Sequence, residues 1–75
     1  MPYRFIKIDD VDELKEIYSR NPECMYVVHH GTDSIVCTLK VTWFGNYVFR
    51  GVLEEHRDFS LSFEKADKVM CMRKL

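Results

Sequence analysis

The chain lacks the excess of positive charge on which sequence-independent nucleic-acid binding depends: 11 Lys and Arg stand against 12 Asp and Glu, a net of −1. It also lacks any apolar run near the ~18–20 residues of a membrane span. The opening Met-Pro-Tyr-Arg runs into an alternating segment rather than a signal-peptide-like stretch, so the sequence predicts a soluble, cytoplasmic protein with no membrane partner. Cysteine is scarce and odd in number: Cys24, Cys37 and Cys71. That is not the framework of a stapled secreted domain and fits a reducing compartment. There is no repeat, linker or low-complexity stretch. No P-loop, GxGxxG, GxSxG, CxxC or HxxxH is present. Seventy-five residues predict one domain, 1–75. A domain of this size buries only about 60% of the surface its unfolded chain exposes. It leaves little room for a closed pocket of a few hundred cubic ångströms, so neither an enzyme, a cofactor nor a small-molecule substrate is expected.

What is present is β-alternation on a large scale. From Ser34 to Glu55 the chain reads as one long hairpin. Ile35, Cys37, Leu39, Val41 and Trp43 alternate with Val36, Thr38, Lys40, Thr42 and Phe44; Gly45-Asn46 is the expected turn, and Tyr47 to Leu53 run back. Upstream, Tyr3 to Ile8 alternates as a first strand. Asp10 then stands as an N-cap with Glu13 three residues on, and Val11, Leu14, Ile17 and Tyr18 follow at helical spacing. Asn21-Pro22 ends that helix. Its acidic residues, from Asp9 to Glu16, cluster where the helix dipole favours them, whereas Lys65, Lys68, Arg73 and Lys74 gather at the C-terminal end. Such polarity can orient a partner or a second copy of the chain.

Cys24 to His30 reads as the next strand and Gly31-Thr32-Asp33-Ser34 as a turn. Pairing His30 with Ile35, and Phe44 with Tyr47, collects Tyr26, Val28, Ile35, Cys37, Leu39, Val41, Trp43, Val48 and Val52 on one face. That face is the expected core, covered by the Val11–Tyr18 stripe. Phe59, Leu61 and Phe63 alternate as a short strand, and Val69 to Arg73 form a last one. A helix from Ser62, with Phe63, Ala66 and Val69 on one side, is the alternative for this region. The predicted fold class is α+β: one N-terminal acidic helix packed on a meandering antiparallel sheet, with small-barrel closure as a variant.

Cys24, His29, His30 and Cys37 fall close together in sequence, but the register separates them. Cys24 would lie opposite Val41, four residues or roughly 13 Å from Cys37, while zinc ligands must sit within about 2.3 Å of one ion. No metal site is expected. Cys37 near His30 reads as a packed thiol rather than a nucleophile with its base. His56, within Glu54-Glu55-His56-Arg57-Asp58, lacks the convergence a catalytic cluster needs. The candidate site is instead the second hairpin face, where Phe44, Tyr47 and Phe49 cluster with Lys40 and Arg50 nearby. Large aromatics and Arg dominate interface hot spots.

Trp43-Phe44-Gly45-Asn46-Tyr47-Val48-Phe49-Arg50-Gly51-Val52-Leu53, followed by Asp58, resembles the Sm-like and SH3-like small barrels at the level of fold. The glycine–glycine and glycine–aspartate spacings are one residue longer than the Sm pattern. The asparagine that helps bind RNA bases there is missing, so no RNA function is carried over. The sequence therefore predicts a non-catalytic protein-binding module. It would be a small inhibitor or adaptor of the kind found among bacteriophage accessory proteins, occluding a partner protein or pairing with its own copy. Single-stranded nucleic acid stacked on Phe44, Tyr47 and Phe49 is the alternative.

Overall fold

The computed structural model describes residues 2–74. Strand β1 (Tyr3–Ile8) leads into helix α1 (Val11–Arg20). The helix starts where the sequence places its cap. The Asp10 side chain accepts the Glu13 N–H at 2.8 Å, and the Glu13 carboxylate accepts the Asp9 N–H at 3.3 Å. At the other end the Asn21 N–H donates to the Ile17 carbonyl at 2.9 Å. Leu14 is fully buried, and Ile17 and Tyr18 pack against the same core.

Strands β2 (Met25–His30), β3 (Asp33–Val41), β4 (Tyr47–Gly51), β5 (Ser60–Ser62) and β6 (Lys68–Lys74) follow. Short 3-10 turns at Glu54–His56 and Phe63–Lys65 flank β5, so the Ser62 helix does not form. All six strands join one antiparallel sheet in the order β1-β6-β2-β3-β4-β5. The expected meander holds from β2 to β5, but β6 inserts between β1 and β2. Its composition explains the position. Val69 and Cys71 face the core while Met70 and Met72 face outward, so both sides of the strand are apolar, as suits an interior strand. No ladder joins β1 to β5 among the described residues, so the sheet has two free edges rather than a barrel's closure.

The two hairpin turns decide which side chains are inside. At the first, His30 pairs with Asp33 around Gly31-Thr32, with Gly31 at φ +63°. A glycine of positive φ at the first central position is the primed turn that matches strand twist. The expected pairing of His30 with Ile35 is off by two residues. An even slip leaves every side chain on its face, so Tyr26, Val28, Ile35, Cys37 and Leu39 are buried as anticipated.

At the second turn the slip is odd. Val41 pairs with Tyr47 and Leu39 with Phe49, three residues from the expected register. The turn is centred on Trp43-Phe44, not on Gly45-Asn46. The Gly45 N–H donates to the Thr42 carbonyl at 2.9 Å, Gly45 takes φ +81°, and the Thr42 N–H donates to the Asn46 carbonyl at 2.8 Å. This is the longer hairpin loop, closed by a left-handed glycine. An odd slip turns β4 over. Val48 and Val52, assigned to the core by the sequence, lie on the outer face, and Tyr47 and Phe49 point inward. Trp43 leaves the core face altogether, and Val41 at its edge is exposed.

The inner face forms rows across the sheet. One runs Ile6–Cys71–Tyr26–Cys37–Gly51, and the next Ile8–Val69–Val28–Ile35. Gly51 ends its row because the Glu54–His56 turn folds directly over it. A Cβ there would overlap the His56 carbonyl oxygen and stand 2.8 Å from the His56 Cβ.

Candidate functional site

The five residues singled out by sequence fall in three places. Phe44 is at the hairpin tip, 87% exposed. Lys40 and Arg50 are exposed on the outer face, on adjacent strands β3 and β4. Tyr47 and Phe49 are on the opposite, inner face, because the odd register slip reverses β4. Tyr47 is half-buried. Its ring meets Tyr18 of α1 edge-on at 6.0 Å, with the Lys15 ammonium 5.8 Å from the ring centre. Phe49 is fully buried, 5.4 Å from the Tyr26 ring and 6.3 Å from that of Phe63. Tyr47 and Phe49 therefore cannot share one surface with Lys40 and Arg50.

Trp43 takes their place at the tip. It is 97% exposed beside Phe44, on a turn held by the Thr42, Gly45 and Asn46 hydrogen bonds. The Thr42 Oγ1 adds another by accepting the Asn46 N–H at 3.0 Å. The signal for this was in the sequence: a glycine just after Trp43-Phe44 can close a longer loop as readily as it can open a two-residue one.

Among the described residues no helix covers the outer face of the sheet. Phe5, Met25, Val27, Val36, Met70 and Met72 form an apolar band across β1, β6, β2 and β3. The charged residues at outward strand positions are Lys7, Lys40, Arg50 and Lys68; no Asp or Glu occupies one among the described residues. The acidic residues lie on α1, in the connections and, for Asp33, at the start of β3 on the inner-face parity. A net charge near zero thus conceals two layers of opposite sign.

The remaining chemistry-bearing side chains do not converge on one point. His29 Nδ1 is 2.8 Å from the Ser34 hydroxyl, and the Cys37 thiol donates to the Ile35 carbonyl at 3.5 Å. Cys24 instead meets Cys71, Sγ to Sγ 2.9 Å. In the Glu54–Asp58 loop, Arg57 pairs with Glu54 at 3.0 Å, and His56 Nδ1 is buried without a partner. Among the described residues no three His, Cys, Asp or Glu side chains gather as metal ligands.

Burial pushes the Cys37 thiol up to about 11. Burial, with the hydrogen bond to Cys24, pushes Cys71 up to about 12. Burial chiefly, then the neighbouring Cys24 and Cys71, also raises the Tyr26 phenol. Each group is held neutral by the fold, so its contribution is complete below the unfolded thiol value of about 8.5 and is lost as pH rises through the folded values. Thermal melts are expected to be level to about pH 8 and to fall by several degrees between about pH 9 and 11. A level profile across that range would contradict the burial of these groups.

No helix among the described residues is long and apolar enough to cross a membrane. Comparison with protein-family models, curated proteins and solved structures finds no match to this chain.

Proposed function

We propose that this chain is a non-catalytic protein-binding module. It docks an acidic partner protein through the Trp43-Phe44 tip and the adjoining basic outer face, and acts as a small inhibitor or adaptor by occlusion. The observation that carries this reading is the pair of large aromatics, 97% and 87% exposed, at the tip of a hydrogen-bonded turn. Two rings held out on a stiff turn can bury large area at low entropic cost. Lys40 and Arg50 lie just behind the tip on an outer face whose strand positions carry only basic charge, so the favoured partner surface is acidic. A symmetric pairing of two outer faces would oppose Lys7, Lys40, Arg50 and Lys68 with their own copies, which disfavours self-association there.

Single-stranded nucleic acid on the outer face is the second reading, favoured by that same one-signed charge. Against it, the strand aromatics available for stacking, Tyr3 and Phe5, lie on the edge strand only, and the centre of the face is Met and Val.

The test is a nuclease-treated pull-down from lysate with the native chain and a Trp43→Ser/Phe44→Ser variant. The variant is expected to keep the native melting temperature and to lose affinity by roughly 100-fold, the scale of hot-spot removal. Equal capture of an acidic partner by both chains would overturn the tip as the anchor. Loss of all capture on nuclease treatment would favour the nucleic-acid reading.

A further inference from the structure

The geometry points to Cys24 and Cys71 as a disulfide-forming site, distinct from the docking surface. Their sulfurs are 2.9 Å apart in the free-thiol state, so bonding at about 2.05 Å needs less than 1 Å of movement. Cys24 directly precedes β2, and Cys71 lies in β6 on the adjacent strand. Both thiols are nearly inaccessible from the sheet, but together they form part of the wall of a cleft of about 250 Å³ beside the C-terminal end of α1. Ile17, Arg20, Asn21 and Arg73 also line it. Arg20 is tied to Glu16 at 2.8 Å. The cleft gives a small oxidant a route to the pair.

The third thiol has no such partner. Tyr26 pairs with Cys71 on one side and with Cys37 on the other, so Cys37 and Cys71 lie two strands, or roughly 9–10 Å, apart. That exceeds the Cα separation of about 7 Å that a disulfide tolerates. Cys37 is fully buried and stays reduced.

The oxidant class is a low-molecular-weight disulfide such as oxidised glutathione. One protein thiol, as thiolate, attacks it and forms a mixed disulfide, releasing one glutathione thiol. The second protein thiol then attacks the protein sulfur and displaces the other glutathione. The chain gives up two protons and two electrons, and the glutathione disulfide is reduced to two thiols. The new bond joins residues 47 apart in sequence and ties the exit of α1 to an interior strand. A link across so long a segment restrains the unfolded chain strongly.

The full-length chain is incubated with oxidised glutathione at pH 8, then alkylated in denaturant and mapped by mass spectrometry. The expected product has lost two hydrogens, carries one alkylated cysteine at Cys37, and yields a linked Cys24–Cys71 peptide pair. Its melting temperature is expected to rise by about 10 °C. Cys37→Ala is expected to oxidise as the native chain does, and Cys24→Ser not to lose the two hydrogens. Three alkylated thiols, a persistent glutathione adduct or a link that includes Cys37 would each overturn the assignment. The native and Cys37→Ala maps decide it even if Cys24→Ser does not fold.

Discussion

Phe49→Ala is expected to leave most of the chain unfolded at 37 °C. The ring is fully enclosed, packed against Tyr26 and near Phe63, at the point where β4 meets β3 and β5. Truncating a buried Phe to Ala costs about 3–5 kcal/mol, since the lost transfer energy is joined by that of the cavity left behind. Native domains hold about 5–15 kcal/mol in total, and a chain of this length belongs near the lower end. The loss is therefore most of what is available. Urea denaturation followed by circular dichroism should show the midpoint falling by more than half, or no folded baseline at all. Phe49→Leu, which keeps most of the volume, should cost about 1–2 kcal/mol. A native-like midpoint for Phe49→Ala would mean that β4 faces the other way.

Gly51→Val is expected to be nearly as damaging, for the opposite reason. Phe49 fills space, whereas Gly51 leaves it for the backbone of the Glu54–His56 turn. Any Cβ would overlap the His56 carbonyl, and the conflict is with main chain rather than with the free end of a side chain. The turn would have to lift, weakening two contacts that close this end of the sheet: Gly51 N–H to the Phe59 carbonyl at 3.2 Å, and Phe59 N–H to the His56 carbonyl at 2.9 Å. Overpacking of this kind costs about 1–3 kcal/mol, occasionally more, or roughly 5–25 °C in a domain of this size. Gly51→Ala should fall partway. An unchanged melting temperature for both would show that the turn is not fixed over the sheet.

The elements with one consistent local message were legible from sequence. Asp10 and Glu13 mark the start of α1, and Leu14, Ile17 and Tyr18 mark its buried side, while Val11 of the expected stripe is exposed in the first turn. On β2 and β3 the register differs from the expected one by two residues, and an even slip leaves every side chain on its face. On β4 the slip is odd, and Tyr47, Val48 and Phe49 are apolar in succession, so the pattern does not say which face is in. The turn decides the face, and Thr42-Trp43-Phe44-Gly45-Asn46 is compatible with two loop lengths differing by an odd number. What selects between them is specific: the Thr42 hydroxyl and carbonyl accept hydrogen bonds from Asn46 and Gly45, and the register so fixed puts Phe49 inside. The same register puts Phe49 in the core and Tyr47, half-buried, on the inner face, and leaves Trp43 free. The insertion of β6 between β1 and β2 is a long-range pairing that local periodicity does not encode, although apolar side chains on both faces of Val69–Met72 mark an interior strand.

The docking surface requires that the hairpin tip project a bare aromatic pair. Trp43 is the chain's one tryptophan, so its fluorescence reports the tip alone. The folded protein is expected to emit at the wavelength of free tryptophan, with acrylamide quenching as complete as in the urea-unfolded chain, and to shift to the blue when the partner binds. Blue-shifted emission protected from acrylamide in the isolated folded chain would place Trp43 in the core and contradict both the β4 register and the docking surface built on it.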